Sequence, residues 1–249
     1  MSSMAALTTP KYRVNEEPRM FANQLAEYTL ASPTRRQSII RNAKYAPTFL
    51  VIRYGAAKSA ICSYLVDDTR SPHTIALAEQ EQINLSKGDG TAHTKNDAAL
   101  SAEAIKGFRN MVGPNFLPGL TFSLVTNALP KLPIAGVDVS VSLDLISHNK
   151  AKGLVGGVLL QTSKAVASKG WREDHSKCVS SLVWMLANKH LHTLGKVDRT
   201  ICMSIDVFAR KTTQAPTHYK RILGNIEASC SEIAMFWPHV SPPADFDGV

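Results

Sequence analysis

The sequence feature that most constrains the fold is the stretch 134–164, which has the pattern of two strands joined by a polar, lysine-rich link. Every second residue from Val137 to Leu145 is apolar, and the residues between them are Asp or Ser. This alternation predicts a strand with one buried face. The link 148–153 predicts a hairpin turn, and the run 154–160 is apolar enough for a central strand.

Pairing of these two strands predicts which residues face each other. If the chain folds back at position 150 or 151, Asp138 lies opposite Ser163 and close to Lys164, because the strands are antiparallel. Asp144 then lies opposite Gly157, roughly 20 Å farther along at about 3.3 Å per residue. The sequence therefore predicts a carboxylate and an ammonium group at one end of a sheet.

The charge of the chain favours an anionic partner. The formal net charge is +8 in 249 residues, and the sequence pI is about 9.4, which is typical of proteins that bind polyanions. No P-loop, nucleophile elbow, H-E-x-x-H or G-x-G-x-x-G pattern is present, so the enzyme classes that depend on them are disfavoured.

The cysteines and the hydropathy indicate the compartment. Cys62, Cys178, Cys202 and Cys230 are far apart, which predicts buried reduced thiols and a cytosolic protein. No apolar run approaches the roughly 20 residues that span a bilayer. We therefore expect a cytoplasmic location and no membrane partner.

Residues 1–90 are predicted to form a basic, mainly helical or arm-like segment. Ser32 followed by Pro33 predicts a helix from 33 to about 44, and a second helix is expected near 47–66, with a strand at 49–54 as the alternative. Six basic residues of this segment are predicted to contact nucleic acid: Arg35, Arg36, Arg41, Lys44, Arg53 and Lys58. The alternative is a solvated helix face.

Residues 91–240 are predicted to form an α/β core, followed by a flexible tail at 241–249. Asp97 is the predicted cap of a helix that carries Glu103 beside an apolar stripe. A strand at 120–127, the hairpin, a helix at 174–192, a strand at 200–208 and a helix at 219–237 follow. The predicted fold is α/β, with a central mixed sheet flanked by helices.

This order resembles a known nuclease superfamily. Gly136-Val137-Asp138, followed after the hairpin by Gln161-Thr162-Ser163-Lys164, resembles the restriction-endonuclease-like superfamily, the PD-(D/E)XK nucleases. The resemblance is architectural and covers residues 97 to about 240. It implies a restriction-endonuclease-like core that holds a divalent metal ion at the sheet end.

The resemblance implies roles for particular residues. Asp138, Asp144 and Glu103 would be carboxylate ligands of Mg²⁺ or Mn²⁺, Gln161 the third-strand oxygen ligand, and Lys164 the catalytic lysine. Two departures weaken this assignment. Gln161 replaces the usual acid, and residues three apart on a regular strand face opposite sides.

The leading hypothesis is a magnesium-dependent phosphodiester hydrolase, a nuclease of a defence, mobile-element or DNA-maintenance type, with DNA favoured over RNA. The alternative is a catalytically degenerate nuclease-like subunit that binds nucleic acid or scaffolds a complex, as a homodimer or with a partner subunit. A protein-interaction module without nucleic acid is the third reading. Ordinary solvent-facing roles for Asp138, Asp144 and Lys164 also stay open.

Overall fold

The computed structural model of the protein describes residues 11–49, 53–113, 116–164 and 169–246. Seven α-helices lie within these residues: α1 (Ala22–Leu30), α2 (Pro33–Lys44), α3 (Gly55–Val66), α4 (Pro72–Lys87), α5 (Ala92–Arg109), α6 (Lys169–His190) and α7 (Lys220–Phe236). The same residues contain the strands β1 (Tyr12–Val14), β2 (Arg19–Phe21), β3 (Tyr45–Pro47), β4 (Thr121–Leu124), β5 (Leu132–Ile134), β6 (Val137–Ser140), β7 (Leu145–Asn149), β8 (Leu154–Gln161), β9 (Lys196–Val197), β10 (Met203–Asp206) and β11 (Lys211–Gln214).

The main sheet has six strands. Five are hydrogen-bonded in the order β11, β10, β8, β7, β4, and β9 pairs with the start of β8. The strands β4, β7 and β8 are antiparallel neighbours, whereas β10 runs parallel to β8. The helix α6 lies between β8 and β10 in the chain, as a parallel connection requires. The predicted α/β fold with a mixed sheet and flanking helices is confirmed.

Helices cover both faces of the main sheet, and β8 shows why. Val155 and Leu159 pack in one hydrophobic cluster with α1, α2, α6 and α7. Val158 and Leu160 pack in a second cluster with α3, α4 and α5. Because side chains alternate across a strand, the two clusters lie on opposite faces. We call them the first face and the second face, respectively.

The alternating run 137–145 is not one strand, so this prediction is wrong. β6 ends at Ser140 and belongs to a separate three-stranded sheet with β2 and β5. β7 begins at Leu145 in the main sheet, and Val141 and Leu143 between them remain buried. Burial therefore alternates along the whole run 137–145, although its start pairs in the small sheet and its end pairs in the main sheet.

The predicted hairpin forms from β7 and β8, but its register differs by two residues. A 3-10 turn at Lys150–Lys152 precedes Gly153, which adopts a φ of 63° that glycine tolerates without a steric penalty. This turn pairs Gly157 with Ile146, not with Asp144 as predicted. The longer turn shifts every residue of β8 by two positions toward the turn, away from the end at which Asp144 lies.

Two helix starts in the N-terminal half illustrate local capping. The predicted helix 33–44 is confirmed by α2. The predicted cap at Asp97 is wrong, because α5 begins earlier and Thr91 caps it. The Asp97 carboxylate instead accepts the backbone N–H of Tyr54, the residue before α3, at 3.0 Å.

The alternative strand at 49–54 includes residues 50–52, which lie outside the described residues.

The N-terminal and C-terminal parts of the chain are joined at Trp237, which is only 2% exposed. Its indole Nε1 donates to the carbonyls of Asn15 and Glu16, at 3.1 and 2.9 Å. The backbone carbonyl of Trp237 accepts from Lys44 Nζ at 2.8 Å. Within the predicted tail, Phe246 packs edge-on against Tyr45, with ring centroids 5.1 Å apart. The boundaries at residues 90 and 240 stay predictions.

Candidate nucleic-acid interface

A basic cavity of about 530 Å³ lies outside the carboxyl ends of β8 and β10. In α/β sheets this position is the usual ligand site, because the loops that follow parallel strands meet there. Four parts of the chain supply the lining: α5, the segment that follows β8, the first turn of α6, and the turn between β10 and β11. Its residues are Glu103, Lys106, Gly107, Lys164, Arg172, Val207, Phe208 and Arg210.

Asp206 organises the floor of this cavity. It ends β10 and is 1% exposed, and its carboxylate forms an ion pair with Arg172 of α6. Arg172 Nε lies 3.0 Å from one carboxylate oxygen, and Nη2 lies 2.6 Å from the other. A guanidinium matches a carboxylate in this paired geometry, so the direction of the Arg172 side chain is fixed.

The same carboxylate shapes the turn after β10. Asp206 Oδ1 accepts the backbone N–H groups of Phe208 and Ala209, at 3.1 and 2.9 Å. Aspartate at the start of a turn often accepts such bonds. Arg210 closes the turn with a φ of 52°, which is uncommon for a residue with a side chain. Phe208 and Arg210 are thereby held at the mouth of the cavity.

A close backbone contact brings α5 against this turn. A Cβ atom built on Gly107 would lie 2.5 Å from the carbonyl oxygen of Val207. Only glycine permits this approach, which brings Lys106 to the cavity wall. The helix α5 therefore reaches the carboxyl end of β10 because position 107 has no side chain.

Beneath the cavity a buried polar network joins β8, β10 and α6. The amide nitrogen of Gln161 contacts the hydroxyls of Ser176 and Ser204, and its oxygen lies 3.1 Å from His175 Nδ1. His175 Nε2 lies 3.1 Å from the carbonyl oxygen of Asn23. Burial lowers the pKa of His175 below its ordinary value. These contacts satisfy the Gln161 side chain internally.

The cavity carries an excess of positive charge. Lys164 Nζ pairs with Glu103 Oε1 at 2.6 Å, and Arg172 pairs with Asp206. Lys106 and Arg210 make no ion pair with any described residue, and both are exposed. Two cationic groups are therefore available to an anion in a cavity already lined by two more.

Among the predicted catalytic residues, the structure brings Lys164 and Glu103 together. It places Asp144 elsewhere: the Asp144 carboxylate accepts from Lys58 Nζ at 2.9 Å and from the backbone N–H of Leu160 at 2.7 Å. Lys58 belongs to α3, on the second face. The Gln161 side chain contacts α6 on the first face, so the two predicted metal ligands lie on opposite faces of the sheet.

Asp138 does not meet Gln161 or Lys164, and the predicted juxtaposition is wrong. It pairs with Pro133 of β5 and with Arg19 of β2 in the small sheet. Its half-exposed carboxylate lies 3.1 Å from Lys131 Nζ. Asp138 is outside the main sheet because β6 ends at Ser140 and pairs only with β2 and β5.

The donor set does not fit a magnesium site. Mg²⁺ requires near-octahedral oxygen ligands, with carboxylates converging on one point. Here the three predicted carboxylates lie beside three different lysines: Asp138 beside Lys131, Asp144 beside Lys58, and Glu103 beside Lys164. Across residues 11–49, 53–113, 116–164 and 169–246, no three Asp, Glu, His or Cys side chains come together as a metal site would require.

The six predicted phosphate-contacting residues do not form one surface. The side chains of four make intramolecular contacts: Arg35 with Glu27, Arg36 with Glu232, Lys44 with the Trp237 carbonyl, and Lys58 with Asp144. Arg41 and Arg53 are exposed. Because α2 packs on the first face and α3 on the second, these side chains are divided between two layers.

All four cysteines are buried and unbridged, as predicted, and burial raises the pKa of each thiol to about 12. No helix in the described part of the chain has the length and apolar character needed to cross a bilayer.

Sequence reasoning missed Arg172, Lys106, Phe208 and Arg210. They come from three elements that are far apart in sequence, and no short motif links them. One signal was present: Asp206 ends an apolar strand, and an aromatic and a basic residue follow it within four positions. Residues after the carboxyl end of a buried strand are candidates for a binding site.

Comparison with known proteins adds no further assignment. No protein-family model matches the chain, and no curated protein matches it either.

Proposed function

We propose that this protein binds the phosphate backbone of nucleic acid through the basic cavity at the carboxyl ends of β8 and β10. The observation that carries the proposal is the convergence of Lys106, Lys164, Arg172 and Arg210 on one cavity. Cationic side chains that surround a concave site attract polyanions and hold phosphate oxygens. The net charge of +8 on the whole chain supports the same class of partner.

Binding without cleavage is the reading that the contacts favour. The predicted metal ligands lie beside separate lysines, and Gln161 is satisfied by the buried network. A nuclease-like core whose acidic residues are paired in this way retains a basic surface, while in the described part of the chain its carboxylates do not converge as a cation site requires. We therefore favour the degenerate nuclease-like subunit, which binds nucleic acid or scaffolds a complex.

Fluorescence anisotropy with labelled oligonucleotides, from 50 to 200 mM salt, tests this proposal. The double variant K106Q/R210Q should lose at least about tenfold in affinity and reduce the slope of log K against log salt by about 2, because each phosphate contact releases about one counterion. EDTA should leave the affinity unchanged, because no metal ion is required for binding.

The matched control is the double variant K150Q/K152Q. These exposed lysines lie in the turn between β7 and β8, at the opposite end of β8 from Lys164, and the charge change is the same. If both double variants weaken binding equally, the charge of the chain and not the cavity determines affinity. Absence of measurable binding at 50 mM salt would reject the proposal.

Phosphodiester hydrolysis, the leading hypothesis from the sequence, is the second candidate. Asp144, the predicted metal ligand just before β7, lies 2.9 Å from Lys58 Nζ and would have to exchange this ion pair for a metal ion. Incubation with plasmid, linear DNA and RNA in Mg²⁺ or Mn²⁺ tests it, with Asp144→Ala and Lys164→Ala in parallel. Cleavage that Asp144→Ala abolishes would support hydrolysis. Binding without cleavage supports the first candidate.

A further inference from the structure

The basic cavity has one aromatic wall. Phe208 is partly exposed there, next to the cationic residue Arg210. Its ring is supported from behind by Tyr54, edge-on, with centroids 6.0 Å apart. The Asp206 carboxylate fixes the backbone N–H of Phe208. The ring of Phe208 thus packs on the hydrophobic cluster of the second face and also forms part of the wall of a cavity lined by charged groups.

An aromatic ring beside cations has a specific use in nucleic-acid recognition. Nucleobases stack on aromatic side chains, while neighbouring cations hold the phosphates on either side. Inside a duplex both faces of a base are already stacked, so only an unpaired base can lie against a protein ring. An aromatic ring beside cationic side chains is therefore expected to bind single strands in preference to duplexes.

The size of the cavity agrees with a single nucleotide. Its volume of about 530 Å³ is within the range, about 300–1,000 Å³, of sites that enclose small ligands. A groove for duplex DNA would extend along the surface, whereas this site is bounded by α5, α6 and the turn after β10. One unpaired nucleotide fits these bounds better than a length of double helix.

From these observations we infer that the cavity is a single-nucleotide subsite for unpaired nucleic acid, with the base on Phe208 and the adjacent phosphate between Lys106 and Arg210. This inference rests on the proposed function and adds the class of substrate. It assigns two tasks to two sets of residues: the cations determine the dependence on salt, and Phe208 determines the preference for an accessible base.

The test compares three labelled probes of equal length: a single strand, a strand made entirely of abasic sugar-phosphate units, and a blunt duplex. Wild-type protein should bind the single strand at least about tenfold more tightly than the abasic strand, because the charge is equal and only base stacking is lost. The duplex should bind no better than the abasic strand.

Two substitutions separate stacking from folding. Phe208→Leu keeps an apolar side chain against Tyr54 but removes the aromatic face, and it should bind the single strand and the abasic strand equally. Phe208→Tyr should retain the preference. Thermal unfolding of each variant verifies that it folds.

The outcomes distinguish the two proposals. Equal binding of all three probes by wild type, with no effect of Phe208→Leu, would overturn the single-nucleotide subsite and leave the phosphate-binding function intact. Failure of every probe to bind would overturn both. Preference for the duplex would also overturn the subsite.

Discussion

Arg172 and Asp206 meet through two contacts of 3.0 and 2.6 Å, and the Asp206 carboxylate also accepts two backbone N–H groups from the turn that follows β10. One buried carboxylate therefore positions both the first turn of α6 and the turn that carries Phe208 and Arg210. The binding cavity and the stability of the fold depend on the same group.

Asp206→Asn should reduce the free energy of unfolding by about 3 kcal/mol, because it removes the charge of the buried carboxylate that pairs with the Arg172 guanidinium. Asp206→Ala should cost more, because it also removes the acceptor of two N–H groups. Urea denaturation measures both values. The control is Asp138→Asn, in an exposed pair, for which we expect about 0.5 kcal/mol or less. Equal losses at positions 206 and 138 would contradict the role assigned to Asp206.

Gly107→Ala should destabilise the protein by about 1–3 kcal/mol, because the new methyl group would overlap the Val207 carbonyl and push α5 away from β10. Gly224→Ala is the matched control in α7, where the added Cβ meets no atom within 4 Å. That substitution should stabilise by about 0.5–1 kcal/mol, because alanine favours helix over glycine. Thermal unfolding of the two variants gives the comparison, and effects of the same sign would contradict the close contact.

The pair Lys58–Asp144 should show a coupling free energy of about 1 kcal/mol in a double-mutant cycle of Lys58→Met and Asp144→Asn. Asparagine keeps an acceptor for the N–H of Leu160, so the cycle isolates the charge interaction. Since the Lys58 side chain is 38% exposed and that of Asp144 is 13% exposed, the coupling should decrease as salt is added. Strictly additive effects would show that the two charges act independently.

Stability should fall as the pH decreases below about 6.5, because burial lowers the pKa of His175 in the folded state. Below the unfolded-state pKa of histidine, the unfolded chain then binds more protons than the folded chain. The free energy of unfolding therefore keeps its full value above that pKa and decreases as the pH falls below it. Burial and Lys150 lower the pKa of His148 in the same direction. His175→Gln should therefore reduce, without abolishing, the slope of unfolding free energy against pH between 7.5 and 5.5. An unchanged slope would contradict this prediction, and the exposed His218→Gln serves as the control.

The sequence predicted those helices and strands whose ends are determined by capping residues or by the length of an apolar run. α2 begins where Ser32 and Pro33 indicate, and β8 coincides with an apolar run buried on both faces. The run 137–145 was misread because alternation reports which side of a strand is buried and not which strand it pairs with. Its first four residues form β6 in the small sheet and its last residue, Leu145, begins β7 in the main sheet, while burial alternates throughout.

The candidate site was harder to predict for a physical reason. Lys164 and Glu103 were identified and do meet, yet the residues that complete the cavity depend on tertiary contacts. Lys106 reaches it because Gly107 lets α5 approach β10, and Arg172 points into it because Asp206 holds the guanidinium. A two-residue change in hairpin register was enough to alter which residue faces Asp144.

The indole of Trp237 is bonded to carbonyl groups of Asn15 and Glu16, more than two hundred residues earlier in the chain. During synthesis, the strands and helices of the N-terminal half emerge from the ribosome long before this partner exists. The hydrophobic cluster on the first face can therefore close only after α7 has been released. Until then its apolar side chains stay accessible to chaperones and proteases.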